Sequence, residues 1–95
     1  MTALSYNARG KDSALNQTAD AVIKSRAGKV ATVNVIVAGS AVGALHDTDA
    51  VANAATANKA FVIPNTVGTY AIDWPFQTGI VLKIGTGQTV AISYF

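Results

Sequence analysis

The run Val30-Ala31-Thr32-Val33-Asn34-Val35-Ile36-Val37 constrains the fold of this chain more than any other feature. Val33, Val35 and Val37 alternate with Thr32 and Asn34, the two-residue period of a half-buried strand. The same period returns three times. Tyr70, Ile72 and Trp74 share a side in 69–74; Ile80, Leu82 and Ile84 share one in 79–84, with Lys83 opposed; Val90, Ile92 and Tyr94 share one in 89–95. Weaker runs begin near Thr18, where Ala19, Ala21 and Ile23 alternate, and cover 42–46 and 59–63. Gly28, Ala38-Gly39-Ser40-Ala41, Pro64 to Gly68 and Gly85-Thr86-Gly87-Gln88 supply the turns between them. Pro75 interrupts its ladder on this reading, because it donates no backbone hydrogen bond. The Ala-rich interval 50–60 suits a short helix or an ordered surface loop.

About seven short strands at this spacing predict an all-β fold, a compact β-sandwich or jelly-roll-like domain, with a small barrel as the other arrangement. Residues 1–16 read as a polar N-terminal arm or lead-in, and 17–95 as a single β-rich domain. With 95 residues, the chain buries a modest share of its surface. Half of it is hydrophobic, but much of that half is Ala, so the packing layers are thin or completed by another subunit.

Composition narrows the chemistry. There is no cysteine, which excludes disulfides and thiolate catalysis. The one histidine, His46, cannot form a histidine-cluster metal site within one chain. Charge is uneven: Met1 to Lys29 carries five basic residues and two Asp. Arg9 and Lys11 in the lead-in are candidate contacts for an acidic partner. The start lacks the basic-then-apolar order of a secretion leader. The stretch 30–45, broken by Thr, Asn, Ser and two Gly, is too short for a membrane span.

Motifs that hint at catalysis fall short of it. Gly85-Thr86-Gly87-Gln88-Thr89 lacks the Lys-Ser or Lys-Thr of a phosphate loop and precedes a strand, so it reads as a hairpin turn. Arg9-Gly10-Lys11-Asp12-Ser13 lacks both the glycine spacing and the preceding strand. His46, Asp47 and Asp49, with Ser40 or Thr48 as a notional nucleophile, show no defined triad pattern. Asp side chains capping a turn explain them more simply. Calcium at Asp47 and Asp49 would leave most of an oxygen shell unspecified. No catalytic, metal or cofactor residue is assigned. Tyr70, Trp74 and Phe76 form either core or a peptide- or carbohydrate-binding surface. Tyr94 and Phe95 either seal the core or meet a neighbouring subunit. The candidate interface residues are therefore Arg9, Lys11, Tyr70, Trp74, Phe76, Tyr94 and Phe95.

Taken together, Val33-Asn34-Val35-Ile36-Val37-Ala38-Gly39-Ser40-Ala41, Ile63-Pro64-Asn65-Thr66-Val67-Gly68 and Gly85-Thr86-Gly87-Gln88-Thr89-Val90 have a wider resemblance. The segment 21–94 resembles small structural proteins of tailed-bacteriophage particles, especially head-decoration or virion-accessory proteins. The resemblance implies a non-enzymatic component on the virion head surface, made in the host cytoplasm. It would bind the major capsid protein or another virion protein in repeated copies, with a homotrimer as one arrangement, and with neither membrane nor direct nucleic-acid binding. A tail or neck position and a glycan-binding, host-attachment module are the alternatives.

Overall fold

The computed structural model describes residues 12–95. Eight strands follow one another: β1 Asp12–Gln17, β2 Ala21–Lys24, β3 Gly28–Val37, β4 Gly43–His46, β5 Lys59–Ile63, β6 Gly68–Phe76, β7 Ile80–Lys83 and β8 Thr89–Tyr94. They form two four-stranded antiparallel sheets, ordered β1-β8-β3-β6 and β2-β7-β4-β5. Here the first is sheet A and the second sheet B. The pairings are nested: β1 lies on β8, β2 on β7, β3 on β6 and β4 on β5. A long antiparallel hairpin, with its tip between β4 and β5, has been rolled so that successive strand pairs fall in alternate sheets. This is the strand order of a jelly roll.

The core is aliphatic. Val30, Val33, Val35, Val90, Ile92 and Phe76 from sheet A meet Leu45, Ile63, Ile80 and Leu82 from sheet B, all essentially inaccessible to solvent. Tyr70, Ile72, Ile23, Phe61 and Tyr94 pack around this cluster. Alternation puts most of these side chains inward, as the periods of β3, β6, β7 and β8 predict, and the register shift between Val30 and Thr32 brings Val30 to the same side as Val33.

Four features depart from the sequence reading. Residues 12–16, assigned to the lead-in, belong to β1, which pairs with β8 through backbone. Its sequence DSALNQ has no apolar side to bury, and Leu15 is 70% exposed. Val37 does not share the buried side of Val33 and Val35. The β3–β8 register shifts between Val35 and Val37, and the extra residue turns Val37 outward to 49% exposure. Trp74 keeps the side of Tyr70 and Ile72, opposite Val30, yet is 53% exposed, because β6 is an edge strand and the ring lies at the rim of the sandwich beside Lys59 and Thr78. The extra residue between Ala71 and Trp74, with Asp73 at φ 49°, interrupts the ladder there. Finally, β6 continues through Pro75 to Phe76, paired with Lys29 and Gly28. An edge strand tolerates Pro because it has a neighbour on one side only.

The interval 50–60 is a loop holding two short 3₁₀ turns, Val51–Asn53 and Thr56–Asn58. No helix of the described residues is long and apolar enough to cross a membrane.

Candidate interaction surface

The polar cluster at His46 is spent on architecture. His46 is 5% exposed, on the side of β4 away from the core. Its Nδ1 lies 2.9 Å from the Ala55 carbonyl and 2.8 Å from Asn58 Oδ1. Asn58 Oδ1 also accepts from the Ala55 amide at 2.9 Å, so both neighbours of Nδ1 are acceptors and Nδ1 carries the proton. Asn58 Nδ2 donates to the Asn53 carbonyl at 2.9 Å. The connection from β4 to β5 is thereby fastened over the outer face of sheet B. It covers Val81, which is fully buried although it belongs to no inward row.

Asp47 holds a second loop. Its carboxylate accepts from the backbone amides of Gln77 at 2.9 Å, Thr78 at 2.8 Å and Gly79 at 3.4 Å. Partial burial pushes this carboxyl up, but the three amide donors outweigh it and its pKa lies below the ordinary 3.8. Asp49 is exposed. No group of three or more metal-ligating side chains occurs among the described residues.

The sequence-assigned interface residues separate. Phe76 is 2% exposed and is core, because β6 runs past Pro75 and returns its ring inward. Tyr70 is half-buried against the core and donates its hydroxyl to the Thr66 carbonyl at 2.9 Å. Tyr94 is partly buried on the core edge. Phe95 is 40% exposed, while its backbone exchanges bonds with Lys29 at 2.8 and 3.3 Å. Trp74 is 53% exposed beside a shallow groove lined by Asp47, Ala57, Asn58, Lys59, Ala60 and Thr78. Arg9 and Lys11 lie outside the described residues.

The strand directions gather charge at one end. The loops 25–27, 47–58 and 77–79 share an end with Asp12 and Phe95. Around it stand Asp12, Lys24, Arg26, Lys29, Asp47, Asp49, Lys59 and Asp73, of which Lys29 and Asp73 pair at 2.8 Å. The opposite end is built from 18–20, 38–42, 64–67 and 84–88. Its charged residues among those described are Asp20 and Lys83, and they neutralise each other at 2.9 Å. Asp20 also accepts from the Ile84 amide at 2.8 Å. Burial raises the Asp20 carboxyl, but Lys83 and that amide prevail and set its pKa below the ordinary 3.8.

This second end exposes Ile36, Val37, Val42 and Val67, each about half or more accessible. Its loops are tied together. Gln88, 1% exposed, donates to the Pro64 carbonyl at 3.0 Å and accepts from the Gly85 amide at 3.2 Å. The Ser40 amide donates to the Thr86 carbonyl at 2.8 Å. Gly85 is obligatory, since a Cβ there would sit 2.0 Å from the Ala41 carbonyl oxygen. Sequence reasoning missed this platform because its residues come from four distant loops and Gln88 sits in an ordinary hairpin motif.

Among the described residues, nothing covers the centre of the outer face of sheet A. Ser13 faces Ser93, Ser93 faces Thr32, and Thr32 faces Ala71; alongside, Ala91 faces Asn34 and Asn34 faces Thr69. These side chains are small and uncharged, and a shallow trough runs among them. The chain matches no family model, no curated protein and no solved structure.

Proposed function

We propose that the chain is a non-enzymatic structural protein of a tailed-phage particle, a head-decoration protein that rests on the capsid shell through its uncharged end. One observation carries this reading: at one end of the sandwich exposed aliphatic side chains meet no unpaired charge among the described residues, whereas most of the charge gathers at the other end. Ile36 and Val37 close β3 and Val42 stands on the tethered loop that follows, where the only described ion pair is internally neutral. Docking that end removes apolar surface from water without stripping water from an unpaired charge, and the tethered loops reduce the ordering cost. The charged end then faces solvent. The solid aliphatic interior supports the same view, because contact surface is on the outside of the domain.

Cosedimentation with assembled shells tests it. The protein should bind stoichiometrically, Val42→Asp with Val37→Asp should abolish binding while the circular dichroism spectrum stays unchanged, and added salt should weaken binding little. Failure to bind shells across a range of ionic strengths sinks the proposal. Binding that collapses with salt and survives both substitutions would move the contact to the basic end and its lead-in.

A glycan-binding role keeps one supporting observation, the half-exposed Trp74 ring beside its groove. Saturable glycan binding lost in folded Trp74→Ala would replace the shell-docking reading.

A further inference from the structure

Each sheet has two edges, and three of the four are blunted. β1 breaks register between Ala14 and Gln17, with Asn16 at φ 52°. β2 is four residues long, breaks register between Val22 and Lys24, and ends in a lysine. β5 has five residues, opens on Lys59, and its ladder to β4 shifts at that end. Bulges, charge and shortness are the devices by which strands avoid pairing with other chains.

β6 differs. Its lower half carries the Asp73 bulge and Pro75, but from Gly68 to Ala71 it pairs with β3 in unbroken register and bears no charge. No strand among the described residues lies on its other side. This stretch offers a regular row of backbone donors and acceptors to an incoming strand.

We infer that β6 pairs antiparallel with β6 of a second copy about a two-fold axis at Tyr70, joining two copies of sheet A into one eight-stranded sheet. Two features of the same strand fit that occupant. Gly68 falls opposite Ile72 of the other copy and Thr69 opposite Ala71, so no charges meet and matching faces stay together. The two Asp73 carboxylates stand roughly 20 Å apart along the strands, at about 3.3 Å per residue. The contact is isologous and closes at two copies. The bare outer faces then run on continuously from one copy to the next.

The test uses charge exchange at two exposed, outward positions. One variant carries Thr69→Lys and Ala71→Lys, the other Thr69→Asp and Ala71→Asp. Like charges oppose each other across the axis in either variant alone and opposite charges meet in the mixture. Sedimentation velocity should show the unsubstituted protein reaching twice the monomer mass as concentration rises from micromolar to millimolar. Each variant should remain monomeric, and their mixture should recover the doubled mass. A monomer at every concentration, a trimer, association that survives in either variant, or a mixture that stays monomeric overturns the inference. If either variant fails to fold, amide exchange of the unsubstituted protein decides. Protection at 68–72 that grows with concentration supports the pairing, and constant protection defeats it.

Discussion

The outer faces of the two sheets show opposite solutions to the same problem. Sheet B hides its outer face under the chain's own 47–58 connection, fastened by His46, Asn58 and Asp47. Sheet A leaves its outer face open and fills it with Ser, Thr, Ala and Asn. A covered face can carry a residue such as Val81, and it then depends on its cover. The centre of the open face, built of small side chains, needs no such cover from the described residues. The comparison locates stability on one side of the molecule and freedom to change on the other.

Substitution on each face should break or sharpen that contrast. The largest effect is expected for Val81→Asp, an unpaired carboxylate beneath the loop, at about 4 kcal/mol of destabilisation in denaturant unfolding. Val35→Asp, in the core between the sheets, sets the scale and should cost a similar amount. If Val81→Asp is tolerated as readily as a surface change, sheet B is not covered. His46→Ala should cost about 2 kcal/mol by orphaning the Ala55 and Asn58 acceptors, and should speed amide exchange across 51–58. Equal exchange in both proteins would show that the cover has no latch.

Gly87→Val tests the far end of the molecule. Gly87 has φ +72° and a notional Cβ meets nothing closer than 3.7 Å, so the cost is at least the torsional one, about 1–2 kcal/mol. An unchanged thermal transition would reject the left-handed turn. Acidification probes Asp47 more gently. Its folded pKa lies below 3.8, so its contribution is complete above the ordinary Asp range and is lost as pH falls through the lowered value. Asp47→Asn should flatten that part of the stability–pH curve; an identical curve would show that the loop tether is not electrostatic. Smallest of all, Thr69→Asp on the open face should change stability by about 0.5 kcal/mol or less.

How much of this was legible depends on what each residue contacts. β3, β7 and β8 announce themselves because their inward residues are large and alternate, and β6 does so as far as Ile72. The all-β class follows from those strands. What defeats the period is an extra residue, which turns Val37 out, and position in the sheet, which leaves Trp74 exposed at the rim although it keeps the side of Tyr70 and Ile72; neither leaves a mark in side-chain type. β1 is invisible because it is held by backbone bonds to β8, which any sequence can make. Phe76 was read as a surface candidate because Pro75 suggests a stop, whereas an edge strand can pass through it. His46 was legible as part of a turn, but its partners Ala55 and Asn58 lie nine and twelve residues on, in a stretch whose composition suits helix and loop alike. The uncharged end was unreadable in principle, since it is assembled from four separated loops.

The nested pairing of strands also governs how fast the molecule comes into being. β8 is sequentially the last strand, yet it lies inside sheet A between β1 and β3. β1 has no partner, and β3 only β6, until the chain has doubled back along its length, so completing sheet A waits on closing the outermost loop. Refolding should therefore take milliseconds to seconds, limited by that long-range encounter.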